Sequence, residues 1–178
     1  MTRTSDIVYV VARLEHARRA YVLFHAHAKW GDWGLVGGHV EAWEKDNWDA
    51  AAARETGEEM SPLHVDIDVA LEPLTSELIE WGPEPSRSAG GAPTIYRTRW
   101  YSLRFLRDPV ACLNALDVAQ FLLVDEQRVA EGHDDDLSNL LQRLGTRPRS
   151  LSWAEPVDFS ELRVPVRRYE SQPLSARG

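Results

Sequence analysis

A single cysteine, Cys112, is present in the 178 residues. No internal disulfide can form, and the composition suits a reducing cytoplasm, with Cys112 serving as packing rather than as a nucleophile. No apolar run approaches the roughly 20 residues needed to cross a bilayer. Met1 to Asp6 carries no signal-peptide pattern, so a cytoplasmic protein without a membrane partner is expected. An excess of basic charge is also missing. The net charge is −8, which argues against a general nucleic-acid-binding surface. That charge is uneven: residues 1–142 carry 13 basic and 24 acidic side chains, whereas 143–178 carry 7 and 4. Internal repeats are absent, and the length favours one well-packed domain with a tail.

What is present gathers around residues 37–60. Asn47 to Met60 is rich in good helix formers, with four consecutive alanines, Ala50 to Ala53. Glu55, Glu58 and Glu59 fall at i, i+3 and i+4, which puts three carboxylates on one helix face, while Ala53, Gly57 and Met60 fall opposite and suit close approach to a sheet. Pro62 should end the helix at Ser61. Glu58 and Glu59 then stand in the last turn, where each misplaced anion costs on the order of 0.3–1 kcal/mol. A bound cation reverses the sign of that cost. Hard cations such as Mg²⁺ take oxygen ligands and bridge carboxylates to substrate phosphates. Gly37-Gly38, just upstream, permits backbone angles closed to other residues, so a carbonyl or amide can turn toward the same metal or phosphate.

These residues resemble the Nudix hydrolase family. Gly38, Glu44, Arg54, Glu55, Glu58 and Glu59 match its signature in order, and Gly37 to Glu41 looks like its usual entry. The chain departs from the pattern in four places. Nine residues rather than seven separate Glu44 from Arg54, Trp43 stands where glycine is common, Thr56 fills an aliphatic site, and Ser61-Pro62 replaces a Gly-aliphatic pair. The resemblance implies an α/β (α+β) fold, an α/β/α sandwich with a curved mixed sheet. It implies hydrolysis of a pyrophosphate in a nucleoside diphosphate linked to another group, with a small nucleotide as the partner and Mg²⁺, or alternatively Mn²⁺, as the cofactor. Glu55, Glu58 and Glu59 are then metal ligands, helped by a carbonyl of Gly37 or Gly38, and Arg54 pairs with Glu44 to hold them. The distal base stays open between Asp117 and the competitors Glu77, Glu80 and Glu84. The alternative is a Nudix-fold module that binds or senses a nucleotide with little or no turnover.

Along the chain, Ile7 to Leu14 reads as a buried strand and Glu15 to Ala20 as a turn. Tyr21 to Lys29 reads as a strand with Tyr21, Leu23, His25 and His27 on one face. The two histidines are expected to pack or contact substrate rather than bind metal. Strands are expected over 33–40, over 63–71 by alternation, over 94–106 and over 121–124. Residues 82–93 are expected to form a mobile hairpin loop and 107–120 to be irregular. Residues 134–144 are expected to form a helix capped by Asp134 to Asp136 and stopped by Gly145. Domain bounds of 1–145 and a Pro/Arg-rich extension of 146–178 follow, the extension packing Trp153, Phe159 and Leu162 on the domain or on a partner in a homodimer. Trp30, Trp33, Trp43 and Trp48 flank the motif, and at least one should line the pocket. Arg97 and Arg99, on the long strand, are candidate phosphate contacts.

Overall fold

The computed structural model describes residues 2–132, 134–144 and 153–170. Gly145 and the stretches 146–152 and 171–178 of the expected extension lie outside the described residues.

The long first strand β1 (Arg3–His16) is the spine of the sheet. It pairs parallel with β7 (Pro93–Phe105) from Arg3 to Ala12 and antiparallel with β4 (Val36–His39) from Ile7 to Val10. Over its last four residues it pairs with β2 (Arg19–Ala26), which also pairs with the two-residue strand β3 (Trp33–Gly34). β5 (Val69–Pro73) and β6 (Ile79–Pro85) both pair with β7, and β8 (Phe121–Asp125) pairs with β2. The sheet is therefore mixed, with the order β10-β8-β2-β1-β7-β5 along its main path, where β10 is Val166–Arg167.

Strand alternation divides the core in two. Val8, Val10, Ala12 and Leu14 of β1 join Tyr21, Leu23, Tyr101 and Leu103 on one face, beneath α1 (Trp48–Glu59) and α2 (Pro109–Ala115). Val11, Val22, Phe24, Trp100 and Val124 face the other way, against Val129 of α3 (Glu126–Glu131). Helices thus cover both faces, the expected α/β/α arrangement. Strands buried on both sides read as near-continuous apolar runs, which is why 7–14 stood out in the sequence.

Several local expectations differ from the structure. The turn after β1 narrows to Ala17-Arg18, both at positive φ (50° and 64°), a tight two-residue hairpin without the usual Asn-Gly signature. Only the last three residues of the alternating 63–71 run, 69–71, fall in a strand, the start of β5. Asp66 sits at φ 68°, and the Asp68 carboxylate accepts from the His64 N–H at 2.9 Å, so a local side-chain bond turns the chain instead. The 82–93 loop shrinks because β6 runs on to Pro85 and β7 starts at Pro93. Residues 109–115 form α2, whose start is set by Asp108 accepting from the Val110 and Ala111 N–H groups and by Pro109 in the first turn.

The expected helix over 134–144 is absent, replaced by α3 upstream and a short 3-10 segment at 140–144. Asp134 and Asp136 do not cap; they accept from Arg128 and Arg167, at 2.7 Å in each pair. In α1 the buried residues are Ala51, Ala52 and Thr56, with Met60 at the cap, so Ala53 and Gly57 are not the sheet-facing pair. Downstream, β9 (Glu155–Pro156) pairs with β1 and β10 with β8, while Phe159 and Val164 enter the core.

Candidate active site

The site starts from two glycines on β4. Gly37 has φ 140°, and a Cβ there would stand 2.1 Å from the Val8 carbonyl oxygen, so no larger residue fits. A Cβ on Gly38 would lie 2.5 Å from the Glu55 carboxylate. The strand is bare where α1 crosses it, and helix carboxylates rest directly on its backbone. Asn47 starts that helix by accepting from the Ala50 N–H at 3.1 Å. Glu59 Oε2 accepts from the Gly37 N–H at 2.9 Å and lies 3.5 Å from His25 Nδ1.

Arg54 is the hub of this cluster. Its Nε and Nη2 donate to the two oxygens of Glu44 at 2.9 and 3.0 Å, in the forked geometry that makes Arg–carboxylate pairs strong. Nη2 also donates to the His39 carbonyl at 3.0 Å, and Nη1 to Glu55 Oε1 at 2.8 Å, with both Glu58 oxygens at 3.4 Å. Glu44 is buried and accepts in addition from the Glu41 N–H at 3.0 Å. The Arg54 hydrogen bond holds the Glu44 carboxyl below its ordinary range, against the opposing effect of burial. Burial pushes the Glu55 carboxyl up, with Glu59 and Glu58 adding to the rise and Arg54 opposing it.

Among the described residues no three His, Cys, Asp or Glu side chains stand together as a ready metal cage. Arg54 supplies the positive charge between Glu55 and Glu58 instead. The donor set nevertheless fits a hard divalent cation: hard oxygens on adjacent turns of one helix face, against a strand whose glycines leave the backbone open.

On the other face of the sheet lies a cavity of about 510 Å³. Gly37, Gly38 and His39 form part of its wall, together with Tyr9, Trp30, Trp81, Tyr96 and Arg143. Trp30 carries Lys29 and Arg87 at 4.6 and 4.5 Å from its ring, and Arg87 donates to Asp32 at 2.6 Å.

The structure thus brings Glu44, Arg54, Glu55, Glu58, Glu59, Gly37 and Gly38 together. It does not bring Arg97 and Arg99 into the cavity. Both fall on the same strand face as Tyr101 and Leu103, toward α1, whereas Tyr96 lines the cavity from the opposite face. Arg97 is held by Asp6 at 2.7 and 2.6 Å, and Arg99 Nε is buried without a hydrogen-bond partner among the described residues. Asp117 accepts from the Ala119 N–H at 3.3 Å, Glu77 and Glu80 are exposed, and Glu84 lines the cavity. Of the motif-flanking tryptophans, Trp30 lines the cavity, Trp33 and Trp48 pack on the core, and Trp43 is 76% exposed. His27 also lines the cavity. Cys112 is buried, which pushes its thiol up. Sequence reading missed Trp81, Tyr96 and Arg143, since only the fold joins these distant segments; the aromatic richness of 94–106 was the one visible signal.

Comparison with solved structures finds similar chains. The Ap4A hydrolase of C. elegans aligns at 17% identity over 79% of this chain and 96% of that one, with a TM-score of 0.50. A mutT/nudix family protein of Listeria innocua aligns at 21% identity over 81% and 93%, with a TM-score of 0.49. The NUDIX domain of Shewanella oneidensis NrtR, solved with ADP ribose, aligns at 22% identity over 57% of this chain, with a TM-score of 0.39. That alignment spans 60% of the NrtR NUDIX-domain chain, and a second one spans 55% of the NrtR chain. No curated protein matches the sequence. The NUDIX domain model matches residues 3–141, most of the chain, and the protein belongs to the Nudix family.

Proposed function

We propose that the protein is a divalent-cation-dependent pyrophosphohydrolase. Its substrate is a nucleoside diphosphate linked to another group, split into a nucleoside monophosphate and a phosphorylated remainder. One observation carries this reading: the bare Gly37-Gly38 strand bears the Glu55 and Glu59 carboxylates while forming a wall of the 510 Å³ cavity. None of Glu44, Glu55, Glu58 and Glu59 lines the cavity, so a pyrophosphate has to reach across that shared strand to meet the acidic cluster.

Glu55, Glu58 and Glu59, with a carbonyl of Gly37 or Gly38, would hold the cation, Mg²⁺ or Mn²⁺. Bound there, it supplies charge stabilisation at the transferring phosphorus, which a net-acidic protein needs in order to attract a polyanion. Arg54 and Glu44 position the carboxylates through their fork. One of the motif glutamates, or a distal carboxylate such as Asp117, takes the proton from the attacking water. The buried, unpaired Cys112 suits work in the cytoplasm.

A second reading is a nucleotide sensor with little or no turnover. It is favoured by the contacts of Arg54 to both Glu55 and Glu58. A panel of nucleotide sugars, dinucleoside polyphosphates, ADP-ribose, NADH and nucleoside triphosphates, assayed with Mg²⁺, separates the two. Turnover of one class supports the enzyme. Thermal stabilisation by a ligand with no turnover across the panel supports the sensor.

A further inference from the structure

Trp81 on β6 and Tyr96 on β7 form a stacked pair in the cavity, with ring centroids 5.8 Å apart and an interplanar angle of 27°. A cation also lies on Trp81. Arg143 lies 5.4 Å from the Trp81 ring centroid while its Nη2 donates to Glu84 at 2.8 Å. Core packing does not account for the pair. Both rings are only half-buried and neither joins the two core clusters, whereas Trp100, on the same strand and face as Tyr96, is fully buried.

A guanidinium and a nucleobase are both flat groups that lie well on an aromatic face, so the layer Arg143 fills is one a base can take. The cavity also includes Gly37, Gly38 and His39. A molecule with a flat end on Trp81 can therefore extend to the strand bearing Glu55 and Glu59. The other cationic groups do not form a polyanion cradle. Arg87 is engaged with Asp32, Arg143 with Glu84, and Lys29 lies on Trp30.

The geometry points to Trp81, backed by Tyr96, as the seat of a nucleobase, which stacks in the layer now filled by the Arg143 guanidinium and makes this chain selective for base-bearing ligands over phosphorylated sugars or polyols. The placement of the phosphate end rests on the pyrophosphohydrolase reading; the stacking itself needs no turnover.

Calorimetric titration of the full chain with AMP and with ribose 5-phosphate, which lacks the base, tests this. AMP should bind about tenfold or more tightly than ribose 5-phosphate, within the range of base–aromatic stacking. The preference should vanish in Trp81→Ala, survive in Trp81→Phe, and be kept or raised in Arg143→Ala. If Trp81→Ala does not fold, quenching of wild-type tryptophan fluorescence by AMP but not by ribose 5-phosphate, together with the Arg143→Ala ratio, decides the matter. Failure of AMP to bind, equal binding of the two ligands, or an unchanged preference in Trp81→Ala overturns the assignment. So does a preference lost in Arg143→Ala alone, which puts recognition on the guanidinium. Turnover of a nucleotide pyrophosphate with an unchanged ratio sinks the base seat and leaves the enzyme reading standing. A Trp81-dependent ratio without turnover does the reverse.

Discussion

Arg54 grips both carboxylate oxygens of Glu44, ten residues away across the motif loop, at 2.9 and 3.0 Å. The pair ties the loop to the helix that carries Glu55, Glu58 and Glu59. Its Glu44 side is almost fully buried, so cutting it leaves a poorly solvated charge behind. Arg54→Ala, which strands the buried Glu44 carboxylate, should destabilise the fold by about 3 kcal/mol, read from urea unfolding. An unchanged midpoint would show that the fork does not hold the loop.

The two glycines should fail in different ways. Gly37→Ala brings a Cβ against the Val8 carbonyl at a φ that L-residues rarely adopt, and should cost a few kcal/mol of stability. Gly38→Ala meets a carboxylate, the movable end of a side chain, at 2.5 Å. It should keep more stability than Gly37→Ala and lose activity through displacement of Glu55. Denaturant midpoints and turnover, measured on both variants, check the contrast.

Phe159 shows that the segment after residue 152 belongs to the packed core. Its ring stacks on His16 at 4.4 Å and 6°, and meets Tyr21 edge-on at 5.1 Å. Phe159→Ala should cost about 3–5 kcal/mol, as other large-to-small changes of buried aromatics do. A change below 1 kcal/mol in urea melts would contradict this packing.

Acid should weaken the fold partly through Asp134. Its hydrogen bond to Arg128 holds its carboxyl below the ordinary Asp value of about 3.9. A carboxyl whose folded pKa is depressed contributes stability that is full above the unfolded value and is lost as pH falls through the folded one. Asp134→Asn should therefore be less stable than the wild type at pH 7 and lose less stability between pH 5 and pH 2. Parallel pH profiles for the two proteins would contradict the assignment.

Strands β1 and β7 and the helix α1 were legible because each signals locally: a β-branched apolar run, a long aromatic strand, an alanine-rich stretch ended near Pro62. The motif residues were legible through their spacing. What escaped depends on distant partners. Asp134 and Asp136 look like helix caps until Arg128 and Arg167 claim them. Helix α2 spans only seven residues, too few to show a period, although Asp108-Pro109 marked its start. Alternation over 63–71 was real but was overridden by the Asp68 bond to His64. The cavity joins Trp30, Trp81, Tyr96 and Arg143 from four segments that only the sheet topology brings together.

The most direct test of the central claim is steady-state turnover, with and without Mg²⁺, on whichever nucleoside diphosphate derivative the panel selects, run for the wild type and for Glu58→Gln. Glu58 is largely exposed, so its variant should fold normally. Activity should need Mg²⁺, and kcat should fall about 100-fold or more in Glu58→Gln. Turnover that persists without divalent cations, or that is undiminished in Glu58→Gln, would contradict it.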